Sequence, residues 1–371
     1  MRYILSAILL FSFLFAGAVQ HNSSDNDSPR LVKMLVGEKN IYALNSSGQV
    51  FIWDLENLTK TFASDTTIRY SSIAKDNSNN IYIGTNDGRI FIIDVNDYSF
   101  DEYLELEEDY YVYDIFFNSA NELFLIIPYA IYDPIKDEAW YDFKHPPSGR
   151  ITKRRFLFFF WKETDVYFTL PQYSFIDSQD RIWMTKSFGE FGGTLQIFDT
   201  RTRSELDANL DSVRFTGLFP LSVFEDDNQN IYITSGLQHF LNTGEIYSVR
   251  DNVATLVFDS DDFKDTTRTT HSDRGIFVGP GAYNHNDNKM YFATTNGFYR
   301  STIPNDGRIK EIELLFKPDL LWDRESLAIG VSMSVKRIEF TEDNRLIFLT
   351  SNNGIGVYDG EELVMLHEHS N

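Results

Sequence analysis

Seven times along the chain an Asp/Asn-rich tight turn runs into a strand that opens, in most copies, with an aliphatic residue followed by an aromatic one. In most copies a Gly turn and a second strand ending near Asp follow. The clearest copy starts at Asp76, enters the strand at Ile81 and Tyr82, passes Gly84 and Thr85, turns at Gly88 and ends at Asp94. The other anchors are Ile41-Tyr42, Leu123-Phe124, Ile182-Trp183, Ile231-Tyr232, Met290-Tyr291 and Leu346-Ile347, so the pattern advances by 40, 42, 59, 49, 59 and 56 residues. A repeat of that period built only from strands and turns predicts a β-propeller. The expected fold class is all-β: seven blades of four antiparallel strands, a to d. In the second repeat these strands fall at 70–74, 81–85, 89–94 and 98–106. Strand b is a near-continuous apolar run, as in Leu123 to Ile127, which suits a strand covered on both faces by neighbouring blades.

The first 18 residues read as a cleaved signal peptide: Arg2, an apolar stretch, then the small residues Ala16-Gly17-Ala18. An uncleaved anchor is the alternative, since residues 3–19 nearly reach the length of a membrane span. Residues 19–30 are polar, have nothing to bury and read as a flexible linker, leaving 31–371 for the propeller. The chain has no Cys, which excludes disulfides, thiolate chemistry and a lipid-modified N-terminal Cys. The expected location is therefore secreted or periplasmic, in a bacterial envelope setting, and the protein is not a lipoprotein. Lys and Arg number 33 against 55 Asp and Glu, a net charge of −22. A field of that sign disfavours nucleic acid and anionic membrane surfaces as partners. A glycan or protein ligand remains.

Strand parity locates a working face. The a-to-b and c-to-d turns lie at one end of a blade, and the b-to-c and d-to-a connections lie at the other. All sizeable insertions fall in the second group: 128–154, 186–194 and 237–244 as b-to-c connections, and 259–275 and 317–330 as d-to-a connections. Loops on a rigid scaffold tend to carry binding groups. The candidate ligand-binding rim on these insertions is Tyr132, Trp140, Tyr141, His145, Phe191 and His239, because flat rings stack on sugar faces or anchor in pockets. The alternative is that the rings pin a long loop onto its blade. Candidate channel-lining residues, four before each turn start, are Ser72, Asp114, Tyr173, Ser222 and Arg337.

The phrase Asp76-x-x-x-Asn80-Ile81-Tyr82-Ile83-Gly84-Thr85-x-x-Gly88, with Trp183 at the aromatic position of the fourth copy, resembles the two-component-regulator propeller repeat. The turn Gly of that motif is replaced here by Asn79, Asp180 and Gln229. The resemblance implies an extracellular or periplasmic sensor module, often joined in that family to a membrane helix and a kinase and often associated with polysaccharide use. No second hydrophobic span or kinase motif follows, so a free-standing module is implied. No catalytic residues carry over. The expected function is a non-catalytic binding module acting as a sensor, accessory or interaction protein, with no cofactor and no metal. The Asp/Asn turns read as structural, since they lack the distal Glu and central Gly of a calcium loop. His271, Asp273, His285 and Asp287 fall at opposite ends of a blade, against a shared zinc. The alternative function is a channel-centred enzyme, a calcium-assisted hydrolase or a polysaccharide lyase, for which Asp114 is the best ligand candidate.

Overall fold

The computed structural model describes residues 29–368 apart from 108, 129, 141–150, 158–159, 167–169, 208–217, 239–241, 264–275, 295, 304–306 and 319–334. Seven four-stranded antiparallel sheets form the ring, each in the order a-b-c-d. Strand a is Leu31–Val36, Tyr70–Lys75, Asp114–Phe117, Tyr173–Ile176, Pro220–Glu225, Val278–Asn284 and Val335–Phe340 in blades 1 to 7. Every sequence anchor lies in strand b, from Asn40–Asn45 in blade 1 to Leu346–Thr350 in blade 7. The seven-bladed all-β expectation holds.

The anchor pairs explain why the ring closes. Successive strand residues face opposite sides, so the two residues of each anchor enter two different seams between blades. Ile81 packs into the seam between blades 1 and 2, and Tyr82 into that between blades 2 and 3. Ile182 and Trp183 divide in the same way between the seams flanking blade 4. Leu346 packs toward blade 6, whereas Ile347 joins Ile41, Trp53 and Met34 of blade 1. Strand b is thus apolar on both faces because both faces are core. The last seam joins the two ends of the ring without a shared strand, through that apolar cluster and polar ties: Lys60 Nζ donates to the Glu368 carbonyl at 2.8 Å, and Asn45 Nδ2 to Glu368 Oε2 at 3.1 Å.

The a-to-b turns of blades 2 to 7 are each built around their first side chain, whereas that of blade 1 starts at Gly37 and closes through backbone alone. Asp177 Oδ1 accepts from the backbone N–H of Gln179 (3.0 Å) and Arg181 (2.8 Å), while Oδ2 accepts from Arg181 Nε (2.6 Å) and the Trp183 indole (2.7 Å). Asp76 and Asp226 repeat the arrangement with Tyr82 and Tyr232 as the aromatic donors, at 3.4 and 3.2 Å. Burial and the adjacent Asp76 carboxylate push the Tyr82 phenol up to about 12. These carboxylates are occupied by their own turns, which is the physical content of the structural reading.

Three parts of the sequence parse need correction. Residues 128–154 are not a b-to-c insertion: strand b of blade 3 ends at Ile127, strand c is Ala130–Asp133 and strand d is Glu138–Trp140. The long connection is d-to-a and carries a separate hairpin, Ile151–Leu157 paired with Phe160–Val166. Both kinds of connection leave the same end of a blade, so this insertion stays on the expected face, but not every long connection does: the c-to-d connection of blade 6, residues 303–312, leaves the other end. In blade 5 most of 237–244 is strand: Leu237 pairs with Thr243 and Gln238 with Asn242.

Candidate functional site

On the face where b-to-c and d-to-a connections emerge, the central channel opens into a cavity of about 530 Å³. Its wall comes from the first residues of strand a in blades 1, 3, 4 and 7, with the b-to-c turns of blades 1 and 7 contributing Ser46 and Ser351. A volume of this size takes a small molecule or the tip of a larger ligand.

A β-bulge shapes the wall. In blades 1, 2, 5, 6 and 7 the register of strand a against strand b slips near its first residues, as between Leu31 and Lys33 and between Val335 and Arg337. The extra residue re-aims the chain. In blade 1 it is Val32, 48 % exposed in the cavity wall, and in blade 7 it is Lys336, which is also exposed there.

Of the candidate channel residues, Asp114, Tyr173 and Arg337 do line this cavity. Ser72 and Ser222 do not: both are fully buried in the seams. Ser222 Oγ shares a hydrogen bond with Thr234 Oγ1 at 2.8 Å and accepts from the Gly281 N–H at 2.9 Å. Ser72 Oγ has no hydrogen-bond partner among the described residues, and a Cβ added at Gly84 would meet it at 2.4 Å. The bulged register explains the difference. The position after the bulge faces a seam, so a Ser stays enclosed, whereas Lys33 and Arg337 are long enough to reach the channel.

The mouth is organised by two ion pairs laid over two rings. Lys33 Nζ donates to Asp114 Oδ1 at 2.7 Å and to the Tyr113 carbonyl, and lies 4.3 Å from the centre of the Tyr113 ring. Ser174 Oγ donates to the other Asp114 oxygen. Arg337 Nε donates to Glu339 Oε1, and its guanidinium sits 5.6 Å from the centre of the Tyr173 ring. Burial works to lower the Arg337 pKa, and the Glu339 carboxylate outweighs it, holding the guanidinium above its ordinary value. Burial raises the phenols of Tyr113 and Tyr173, aided at Tyr113 by Asp114 and opposed at Tyr173 by Arg337. Loss of hydration lowers the Lys336 pKa. Arg30 Nη1 donates to Asn352 Oδ1 at 2.6 Å on the same rim. Sequence reasoning missed Arg30, Lys33 and Lys336, because nothing in a single strand announces a bulge.

Of the residues proposed for the aromatic rim, Trp140 and Tyr132 belong to strands of blade 3. Trp140 lies half-buried in strand d, packed on Phe198 at 5.2 Å and Phe124 at 6.3 Å, with the Arg203 guanidinium 5.6 Å from its ring centre. Arg203 also bridges Asp133 at 2.8 Å and Glu138 at 3.0 Å. Trp140 therefore helps to lock blade 3 to blade 4. Tyr132 sits in strand c and donates to Asp137 Oδ1 at 2.8 Å. Phe191, 84 % exposed on the short 3-10 turn Gly189–Phe191, does stand on a b-to-c connection, beside the more covered Phe188. Tyr141, His145 and His239 lie outside the described residues.

Among the described residues no group of three or more His, Asp or Glu is placed to hold a metal ion. Asp114, the best calcium-ligand candidate, has both oxygens engaged by Lys33 and Ser174. His285 pairs instead with Asp227, Nδ1 to Oδ1 at 2.5 Å, and holds that carboxyl below its usual range.

No family model matches the chain, and no curated protein does. Among solved structures it is similar to Kuenenia stuttgartiensis hydrazine synthase, with TM-score 0.56 and 9 % identity over 96 % of this chain and 100 % of that one. It is also similar to U3-55K, with TM-score 0.51 and 8 % identity over 88 % and 90 % of the two chains. The β-propeller domain of Myceliophteria thermophila Cps50 (Swd1) matches at TM-score 0.46 and 10 % identity over 87 % and 96 %. At such identities the first two similarities concern the fold alone: this chain is a seven-bladed β-propeller.

Proposed function

We propose that the protein is a non-catalytic binding module, secreted or periplasmic, that takes a glycan or protein ligand at the mouth of its central channel. The observation that carries this reading is the cavity itself: strands from separate blades converge there with charged, aromatic and hydroxyl groups already held in place. Groups fixed by the scaffold lose little freedom when a ligand arrives, which favours binding. The apolar segment and small-residue site at the N-terminus support export. A sensor or accessory role is the one that the repeat resemblance supports. The enzyme reading needs convergent carboxylates or His, and the described mouth offers Asp114 already committed to Lys33 and Ser174.

The test is to fill the mouth. Val32 lines the cavity and is 48 % exposed, so Val32→Trp places a large ring in the opening without replacing a core side chain. A glycan array and a pull-down with the wild type identify ligands. Those ligands are expected to lose at least tenfold in affinity for Val32→Trp, whose thermal midpoint stays within about 2 °C of wild type, as for a surface change of under ~0.5 kcal/mol. A ligand that binds Val32→Trp as tightly as wild type places the site elsewhere.

A further inference from the structure

The charge of the mouth runs against the charge of the molecule. The chain carries 33 Lys and Arg against 55 Asp and Glu, yet Arg30, Lys33, Lys336 and Arg337 line the cavity with Asp114 as the one carboxylate among its lining residues. Asp114 is paired with Lys33, and Glu339, behind the wall, is paired with Arg337. Counting both carboxylates still leaves Arg30 and Lys336 unmatched by charge among the described residues. Lys336 has no hydrogen-bond or ion-pair partner among the described residues. Arg337 uses Nε on Glu339, and its two terminal nitrogens donate to nothing among the described residues. An ammonium without a protein partner among the described residues and the free edge of a guanidinium therefore occupy successive positions of one strand, in a partly enclosed space.

Resting on the reading of the mouth as a ligand site, we infer that it recognises an acidic sugar, with the carboxylate held by Lys336 and Arg337. Three features point to that chemistry. The planar terminal edge of a guanidinium matches the two oxygens of a carboxylate, and the neighbouring ammonium adds a point charge. Because Lys33 and Arg337 already lie over Tyr113 and Tyr173, the rings fix the position of the cationic groups before a ligand enters. The rest of the wall supplies Ser46, Ser351 and Gln172, groups that both donate and accept, as ring hydroxyls require. A positive site inside a negative field also discriminates: a polyanion spread over the face is repelled, while a single carboxylate inserted into the cavity is attracted.

Calorimetric titration with digalacturonate, its neutral carboxyl-reduced counterpart and inorganic phosphate tests this, using wild type, Lys336→Gln, Arg337→Gln and Val32→Trp. Expected are binding of digalacturonate at least tenfold tighter than of the reduced disaccharide, a loss of tenfold or more in Lys336→Gln, and loss in Val32→Trp. Lys336→Gln removes no contact within the described protein, so its thermal midpoint should match wild type and keep the test informative even if Arg337→Gln folds poorly. Equal binding of the acidic and reduced disaccharides, with both lost in Val32→Trp, overturns the inference and leaves the mouth reading standing. Phosphate binding as tight as digalacturonate, or no digalacturonate binding at all, also overturns it. Digalacturonate binding unaffected by Val32→Trp would instead overturn the location of the site and with it both readings.

Discussion

Asp177 concentrates the logic of the repeat in one side chain. It is fully buried, closes its turn through two backbone N–H groups, and receives charge-assisted bonds from Arg181 and the Trp183 indole. A carboxylate in that position is stable only because every oxygen site is filled. Asp177→Ala orphans the buried indole N–H and the turn amides, and is expected to cost about 3–5 kcal/mol. Asp177→Asn keeps one acceptor oxygen for the turn but turns an amide toward other donors, at about 2 kcal/mol. Urea unfolding of the two variants checks the order. Equal stability of Asp177→Ala and wild type would mean that the turn is held by backbone alone.

At the scale of the element, the turn that replaces the motif's Gly shows how the sequence departs from the resemblance without breaking the fold. Asn79, Asp180 and Gln229 occupy the same turn position and all three have a left-handed backbone, with φ of 63°, 65° and 61°. Asn and Asp tolerate that conformation, whereas Gln gains nothing locally from it. Gln229→Gly should therefore stabilise the protein by about 0.5–1 kcal/mol, while Asn79→Gly should change it by only a few tenths. Thermal unfolding of both distinguishes this from a role for the Gln side chain, which would make Gln229→Gly destabilising.

The c-to-d turns carry an equally regular signal that the sequence reading used in part. Asp54, Asp94, Asp133 and Asp199 each open such a turn, and the residue four later is left-handed every time: Leu58, Tyr98, Asp137 and Arg203. A strand ending near Asp is legible in the sequence elsewhere but not at Asp133. There strand c has four residues, strand d has three, and the acidic stretch to Glu138 resembles a loop. Read as a loop, that stretch puts Trp140 on a rim, whereas its ring belongs to a seam. The seams themselves were legible because strand b must be apolar on both faces. The bulge in strand a was not, since it depends on how two strands register, and so the reading missed Lys336 and placed Ser72 and Ser222 in the channel.

For the whole molecule, seven seams of aliphatic and aromatic side chains make a rigid ring with two unlike faces. Apart from the 303–312 connection of blade 6, the a-to-b and c-to-d face is built of short turns, most of whose Asp and Asn side chains are consumed by their own backbones. The other face carries the longer connections and opens into the channel mouth, where Lys336 and the Arg337 fork retain hydrogen-bonding capacity toward a ligand. Rigidity and vacancy thus lie at opposite ends of the same strands, a division suited to a scaffold that holds a site in place. Hydrogen–deuterium exchange in the presence of a ligand retained by the binding screen examines this division directly. Added protection is expected at residues 30–35, 113–115, 172–174 and 335–337, the mouth-lining starts of strand a in four blades, with the turns at 76–80 and 226–230 unchanged. Protection confined to those turns or to the outermost strands, with none at the mouth, would contradict the assignment of the channel mouth as the binding site.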